Sequence, residues 1–341
     1  MRIYEANNKT YRLPNDLTEF QRDFYVHLID WKWQNLTEKP GYHKSIPYDA
    51  ILPDHFKKLH YPIYQKVVDR FLNHKRTFPF KSHKFIGHMA SSQAACVNLF
   101  LQIMEYPDEA AIILSSVKND LKSIAVDKLD RGFRIEFWDE GSNLLRDHNM
   151  AAGTDADIAI AYRDKDDNLN LWLIEHKLTE PEFTKCGGYR SKKRSNIHKC
   201  KPITTIYNDP NLCYYHSGCG YTYWNITKKY TDMFPTEKLL NYTSCPFKDG
   251  LNQLWRNQLM AIAIENSDLL DLSYKKVYFS VVRHPKNTSL QQSIEQWKDL
   301  TNHSDRFFEF TSDIIVEASK QVDNPKIHEW RRWYEELYWL Y

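Results

Sequence analysis

Two pairs of charged residues lie beside two successive apolar segments. The first pair is two acids, and the second is an acid and a lysine. Asp155 and Asp157 precede the first segment, and Glu175 and Lys177 end the second. Side chains two positions apart on a β-strand point to the same face, so each pair projects together. Carboxylate oxygens are ligands that Mg²⁺ or Mn²⁺ prefers, and a neighbouring lysine can orient water and offset charge on a phosphate. The pattern therefore predicts a metal site that hydrolyses phosphodiester bonds.

The two apolar segments predict an antiparallel β-hairpin. Residues 158–161 and 171–174 are apolar on both strand faces, which is typical of strands buried in a sheet. The polar residues 166–168 between them favour a turn. A surface hairpin with an ordinary cross-strand charge pair, worth about 0.2 to 1 kcal/mol, is the alternative. Ionisable groups at the ends of buried strands are costly without a function or a partner, which favours the metal site.

Three blocks in a fixed order resemble the PD-(D/E)XK, or restriction-endonuclease-like, nuclease superfamily, and more closely a bacterial branch of it. The superfamily motif is carried by the glycine-led residues 153–157 and by Glu175-x-Lys177. The ordered blocks are residues 90–100, 173–183 and 253–259. The acid and lysine motif alone is weakly specific, whereas the ordered set is stronger. The match spans about residues 85 to 285, which is most of a catalytic domain.

The resemblance implies that Asp157 and Glu175 bind the metal and that Lys177 is the catalytic lysine. Asp155 is a second candidate acid on the same strand face. Asp157 is preferred because it directly precedes the apolar strand, as the acid of the superfamily does. His176 is expected on the opposite face of its strand, in the core or at an interface.

Two predicted helices place further polar residues near this motif. Many members of the superfamily have a glutamate on the first helix. The predicted helix 90–106 has Gln93 instead. A site for two metal ions would therefore lack that acid. On the predicted helix 251–266, Gln253 and Arg256 are expected to reach the scissile phosphate or its neighbour. A solvated polar face is the alternative for that helix.

Hydrophobic periodicity predicts the order helix, three strands, helix, strand, which is the core order of the restriction-endonuclease-like fold. The fold class is therefore α/β, with a mixed central sheet flanked by helices. An N-terminal helical layer over residues 1–84 and a nuclease domain over residues 85–341 are expected. The predicted elements are helices 15–36, 52–74 and 90–106, strand 131–140, hairpin 155–177, helix 251–266, strand 276–283, helix 289–300, strand 307–310 and a helix from 325.

Five of the six cysteines fall in one segment, a predicted insertion at about residues 184–248. They are Cys186, Cys200, Cys213, Cys219 and Cys245. Disulfides are not expected in a cytoplasmic chain, and the clustering favours a structural Zn²⁺ or an iron–sulfur cluster. The spacings are long and contain no Cys-x2-Cys pair, so scattered reduced thiols are the alternative.

The net charge of +2, from 46 basic and 44 acidic residues, excludes binding of nucleic acid through overall charge. A phosphate-binding surface must be local. The candidate is the basic segment that follows the second acidic strand, and a solvated loop is the alternative. Its residues are Arg190, Lys192, Lys193 and Arg194.

These features predict a Mg²⁺-dependent phosphodiesterase that cleaves DNA in restriction, defence or repair. The alternative is a catalytically inactive protein that binds nucleic acid or assembles with partners on the same fold. No apolar run approaches the roughly 20 residues of a membrane helix, and the N-terminus is not a signal peptide, so a cytoplasmic protein is expected. Restriction nucleases commonly act as dimers that cut two strands, so a homodimer is one expectation.

Overall fold

The computed structural model describes residues 1–140, 142–148, 153–190, 200, 202–267 and 273–340. The strands are β1 (Arg2–Ala6), β2 (Lys9–Leu13), β3 (Gly41–His43), β4 (Ile46–Tyr48), β5 (Leu121–Ile124), β6 (Phe133–Phe137), β7 (Ala156–Asp164), β8 (Leu169–Lys177), β9 (Lys276–Arg283) and β10 (Phe307–Thr311). The helices are α1 (Glu19–Asn35), α2 (Asp54–Lys58), α3 (Val68–Thr77), α4 (Ser92–Met104), α5 (Pro107–Ser115), α6 (Gly187–Arg190), α7 (Ile203–Asn208), α8 (Tyr214–Ser217), α9 (Tyr223–Lys229), α10 (Thr236–Leu240), α11 (Asn252–Glu265), α12 (Gln291–Leu300), α13 (Ser312–Ala318) and α14 (Pro325–Tyr338).

A six-stranded mixed sheet forms the centre of the α/β fold. Its order is β10-β9-β8-β7-β5, and β6 also pairs with β7. Strands β7 and β8 form the predicted antiparallel hairpin, in which Ile158 lies opposite Ile174. Strand β9 runs parallel to β8, and β10 runs parallel to β9. The hairpin therefore lies inside the sheet, with the start of β7 beside the end of β8.

The hairpin is apolar on both faces because each face packs against its own core. Trp172 and Ile174 belong to a core that also contains residues of α4 and α14. Leu171 and Leu173, one position out of phase, belong to a second core with residues of α11 and α12. Side chains of a strand alternate between faces, so a strand between two cores must be apolar throughout.

Helices α4 and α11 confirm two of the predicted core helices. The side chain of Ser91 accepts a hydrogen bond from the amide of Ala94 and caps α4. Between α4 and β6 the chain forms α5 and β5, which periodicity did not predict. The strand predicted at 131–140 is therefore not the first strand of the sheet. The remaining order α4, β6, β7, β8, α11, β9 is the predicted one.

The N-terminal segment departs from the predicted helical layer. Helix α1 forms with a capping box between Thr18 and Gln21. The single helix predicted over residues 52–74 is wrong: α2 and α3 are separated by a segment that contains Pro62, which has no N–H to donate to a helix. Residues 1–48 also form the hairpins β1–β2 and β3–β4, which were not predicted. The division of the chain at residue 84 stays a prediction.

The described residues between 184 and 248 form short α-helices, α6 to α10, of four to seven residues each, and two 3₁₀ turns. Isolated helices of this length are unstable in water, so packing must hold them. Trp255 of α11 stacks on Phe247 with ring centroids 4.0 Å apart, and Trp224 packs beside both. Within the described part of the chain, no helix combines the length and apolarity needed to cross a membrane.

Candidate active site

The structure brings the four predicted motif residues to the wall of one cleft of about 1300 Å³. Asp157 lies near the start of β7, and Asp155 directly precedes that strand. Glu175 and Lys177 lie at the end of β8, which is beside the start of β7 because the strands are antiparallel. All four side chains line the cleft. The acids and the lysine are therefore neighbours in space, as the hairpin predicts.

Three donors fix the carboxylate of Glu175. The ammonium of Lys177 donates to its Oε1 at 2.9 Å, and the amide of Gln253 donates to the same oxygen at 2.7 Å. The amide of Asn257 donates to Oε2 at 2.9 Å. Gln253 and Asn257 stand four positions apart on α11 and so share a helix face. Helix α11 therefore holds the orientation of Glu175.

Gln253, predicted to reach the scissile phosphate, lies behind the cleft wall and does not line the cleft. Its contact with a phosphate stays a prediction. Its amide nitrogen contacts Glu175, and its oxygen accepts from the backbone N–H of Thr184 at 3.2 Å. In this arrangement Gln253 contacts an acid of the cleft from behind.

A further acid, Glu136 of β6, lines the same cleft and was missed by sequence analysis. The amide of Gln93 donates to its Oε1 at 2.7 Å, while the Gln93 oxygen accepts from the backbone N–H of His83 at 2.9 Å. Gln93 stands on α4, the helix on which the superfamily resemblance leads us to expect a glutamate. In this protein the side-chain amide of Gln93 on α4 binds the carboxylate of Glu136 on β6.

The backbone at Glu136 explains why the sequence pattern hides it. Glu136 has φ of 51°, a left-handed conformation that is uncommon for residues other than glycine. Ile135 packs into the core beside α4, whereas Phe137 packs into the core beside α11. In a regular strand these two side chains would share one face. Residues held in such strained conformations cluster at functional sites.

The carboxylates of the cleft repel one another. Burial and the Asp155 carboxylate raise the pKa of Glu136 to about 8. Burial and the Glu175 carboxylate raise the pKa of Asp155 to about 6. Burial, together with the carboxylates of Glu175 and Glu136, raises the pKa of Asp157 well above its usual range. Full ionisation of these carboxyl groups would therefore place more negative charge in the cleft than the surrounding protein neutralises.

Lys177 is the ammonium of this cluster. Burial lowers its pKa, but the carboxylates of Glu175, Glu180 and Asp157 outweigh that effect and raise the pKa above its usual value. Both Lys177 and Glu175 are buried, and their charged groups are 2.9 Å apart. The side chain is thus held as a charged donor at the edge of the cleft.

The donor chemistry of the cluster fits a hard divalent cation. Oxygen ligands and excess negative charge are what Mg²⁺ and Mn²⁺ require. Among the described residues, however, no three acidic, histidine or cysteine side chains are placed, as they stand, to hold one ion. Glu175 already accepts three hydrogen bonds. Binding of an ion would therefore require carboxylate side chains to rotate toward it.

The other residues that the sequence singled out lie beside this cluster or outside it. Arg256 does not line the cleft and donates to the carbonyl oxygen of Gly153 at 3.5 Å. His176 is buried, and Ser92 donates to its carbonyl oxygen at 2.6 Å. Burial lowers the pKa of His176 to about 3, so its ring is neutral. Arg190 is exposed at the end of α6. Lys192, Lys193 and Arg194 lie outside the described residues.

Aromatic and basic side chains form other parts of the cleft wall, which sequence analysis did not identify. The wall includes Lys81, Lys84 and Phe85, and the Lys84 ammonium lies 4.7 Å from the ring centre of Phe85. Trp138 and His148 also line it and stack with ring centroids 3.7 Å apart. Basic side chains that follow phosphates and rings that stack on bases are the usual elements of single-stranded nucleic-acid grooves.

Comparison with known proteins gives one match. The model of the family described as restriction endonuclease associating with ARP matches residues 18–339. That range contains every acid of the cluster, together with Lys177 and helix α11. No curated protein and no solved structure matches the chain.

Proposed function

The chain belongs to the family of restriction endonucleases associating with ARP, and from this premise we propose that it hydrolyses phosphodiester bonds of DNA with Mg²⁺ or Mn²⁺. The observation that carries the proposal is the convergence of Asp157, Glu175 and Lys177 on one cleft. An inactive relative that only binds nucleic acid would have no need to keep these groups in contact. The family description also names ARP, and we extend that association to this chain.

Each side chain of the cluster has a role in this proposal. Asp157 and Glu175 would hold the ion, with Asp155 or Glu136 as a further ligand. When bound, a divalent ion polarises the phosphate and lowers the pKa of its water. Lys177 donates a hydrogen bond to a phosphate oxygen and offsets the charge that develops there. Water attacks phosphorus and gives up a proton to solvent, and the P–O bond to the leaving oxygen breaks as that oxygen takes a proton from solvent.

DNA contacts extend beyond the cluster in this proposal. The basic segment with Arg190, Lys192, Lys193 and Arg194 would bind phosphates of the DNA, as would Lys81 and Lys84 of the cleft wall. Arg256, which lies behind the wall, stays a proposed contact that requires its side chain to move. Two copies of the chain acting as a homodimer would place one cleft on each DNA strand.

Metal removal tests the proposal. Purified protein incubated with long genomic DNA is expected to produce fragments with Mg²⁺ or Mn²⁺ and none with EDTA, and excess Mn²⁺ should restore cleavage. DNA of several sources should be used so that a recognition site is present. Cleavage that continues unchanged in EDTA would exclude the metal. Binding of DNA without any cleavage, with both metals, would favour the inactive alternative.

Glu136→Gln is expected to weaken Mn²⁺ binding by about 10- to 100-fold, a range typical of mutations around metal sites. The amide keeps the volume and can still accept the hydrogen bond from Gln93, so the fold should persist. Calorimetric titration of Mn²⁺ measures the affinity. Glu140→Gln is the matched control, because Glu140 lines the same cleft but is exposed and paired with Arg134. Equal affinity in both variants would remove Glu136 from the site.

The metal-free protein is expected to become more stable as the pH falls from about 8.5 to 6. The folded-state pKa of Glu136, about 8, and of Asp155, about 6, exceed their ordinary values of 4.5 and 3.8. At a pH between the ordinary pKa and the raised pKa of such a group, the folded state binds more protons than the unfolded state. The free energy of unfolding therefore increases as the pH falls through the raised pKa values. Thermal unfolding in EDTA measures this slope, and Glu136→Gln should flatten it. An unchanged slope in that variant would contradict the assignment.

Asn257→Ala is expected to reduce cleavage by about 10- to 100-fold, because residues that orient metal ligands have effects of this size. The variant loses the donor to Glu175 Oε2, while Gln253 and Lys177 still hold Oε1. Asn266→Ala at the end of α11 is the control, since its amide donates to the carbonyl oxygen of Ile262 and, among the described residues, to none of the acids of the cleft. Initial rates at saturating metal, with circular dichroism of both variants, provide the comparison. Equal rates would show that Glu175 needs no support from α11.

A further inference from the structure

Four of the five clustered cysteines converge on one small cavity. We propose that Cys186, Cys200, Cys213 and Cys245 bind a single structural Zn²⁺ ion and that Cys219 does not. The sequence alone implicates all five equally and leaves zinc, an iron–sulfur cluster and free thiols as alternatives. The proposal concerns a site separate from the carboxylate cleft, and it holds whether or not the chain cleaves DNA.

Four of the five cysteine side chains line the cavity, and the fifth does not. Its volume is about 20 Å³, and its wall contains the four named cysteines but not Cys219. The remaining wall is mainly apolar and aromatic, including Ile206, Leu212, Phe247 and Trp255. All six cysteines of the chain are free of disulfides. Four thiols that are far apart in the sequence therefore surround one shielded space.

One of the four sulfur atoms accepts a backbone hydrogen bond of the kind that supports a metal ligand. The backbone N–H of Tyr189 donates to the sulfur of Cys186 at 3.5 Å. The thiols of Cys200 and Cys245 lie next to each other in the cavity wall. Backbone N–H donors stabilise thiolates, and partners of this kind commonly orient the ligands of a metal.

Size and ligand chemistry favour zinc. A volume of about 20 Å³ exceeds the roughly 10 to 15 Å³ that one water-sized sphere needs, so the cavity suits one ion rather than a cluster of several irons and sulfides. Thiolates are soft ligands that select zinc over Mg²⁺. Among the described residues, no three such side chains yet stand where they could hold an ion. The four thiols must therefore lose their protons to solvent and close to a Zn–S distance of about 2.3 Å.

An ion at this position would join chain segments that have little structure of their own. The four cysteines lie among the short helices α6 to α10, which are too short to be stable alone. Trp255, in the cavity wall, stands on α11 together with Gln253 and Asn257, the amides that hold Glu175. Zinc would thus brace the helix behind the active site without contacting substrate.

Elemental analysis of the full-length, tag-free protein tests the proposal. Wild type is expected to contain about one zinc per chain, as a four-thiolate structural site does. Cys213→Ser and Cys245→Ser should retain less than about one tenth of that amount. Cys219→Ser is the matched control, because its cysteine belongs to the same segment but lies outside the cavity, and it should retain the full amount. Asp157→Asn should also retain it, which separates this site from the carboxylate cleft.

Cobalt substitution of the wild type keeps the test independent of whether a serine variant folds. The Co²⁺ protein is expected to show the intense near-ultraviolet charge-transfer bands of four sulfur ligands, and one equivalent of Zn²⁺ should abolish them. Absence of metal from the wild type would overturn the proposal, as would iron with visible absorbance. Loss of zinc in Cys219→Ser, or full zinc content in a folded Cys213→Ser, would overturn the assigned ligands.

Discussion

Lys177→Ala is expected to slow DNA cleavage by about 10²- to 10³-fold, the usual cost of removing one donor to a developing oxyanion. The Lys177 ammonium is buried and lies 2.9 Å from Oε1 of Glu175. Surrounding carboxylates raise its pKa despite its burial, so it remains a charged donor at neutral pH. Initial cleavage rates at saturating Mg²⁺ measure the effect, and circular dichroism checks that the variant is folded.

Lys122→Ala provides the control for this variant. Lys122 is exposed and pairs with Asp167 at 2.8 Å, at the turn end of the β7–β8 hairpin, away from the cleft. Surface pairs of this kind contribute at most about 1 kcal/mol, so cleavage should be unchanged. Full activity of a folded Lys177→Ala protein would contradict the proposed mechanism even if the fold is correct.

Asp157→Asn is expected to change activity and stability in opposite directions. Cleavage should fall by about 10²-fold or more, because the variant removes a charge that an ion needs. The metal-free protein should become more stable at pH 8, because the Asp157 carboxylate is buried beside those of Glu175 and Glu136. The oxygen of asparagine can still accept the N–H of His176, which Asp157 Oδ2 accepts at 2.6 Å.

Thermal unfolding in EDTA and in Mg²⁺ measures the second effect. Each kcal/mol of relieved repulsion should raise the midpoint by roughly 2 to 4 °C. Mg²⁺ should raise the midpoint of the wild type but not that of Asp157→Asn, because ligand binding stabilises only a protein that binds the ligand. Asp167→Asn, in the exposed turn of the same hairpin, is the control. If Asp157→Asn is less stable than the wild type and Mg²⁺ still raises its unfolding midpoint, the ion binds at another site.

The hairpin and its motif were predictable because they depend on local patterns. An apolar run on both faces indicates a strand between two cores, and spacing of two along a strand brings Asp157 with Asp155, and Glu175 with Lys177. The antiparallel turn then places one pair beside the other. Sequence periodicity also predicted α4 and α11, the helices that pack on the two faces of the hairpin.

Residues that depend on tertiary contacts were not predictable in the same way. Glu136 is brought into the cleft by a left-handed backbone that its sequence does not signal. For Gln253, nothing in a helix pattern shows that its amide lies 2.7 Å from Glu175. The spacing of the cysteines gave no hint that Cys219 lies outside the cavity that the other four share. Pro62, by contrast, was a visible signal against one continuous helix.

Titration of Mn²⁺ into metal-free protein, with bound metal and DNA cleavage measured on the same samples, tests the central claim most directly. The wild type is expected to cleave DNA in proportion to the occupancy of a metal site, with no cleavage in EDTA. Asp157→Asn is expected to lose most of the binding and of the cleavage, while its zinc content is unchanged. Cleavage without bound Mn²⁺, or equal Mn²⁺-dependent cleavage by Asp157→Asn, would contradict a nuclease centre at the carboxylate cluster.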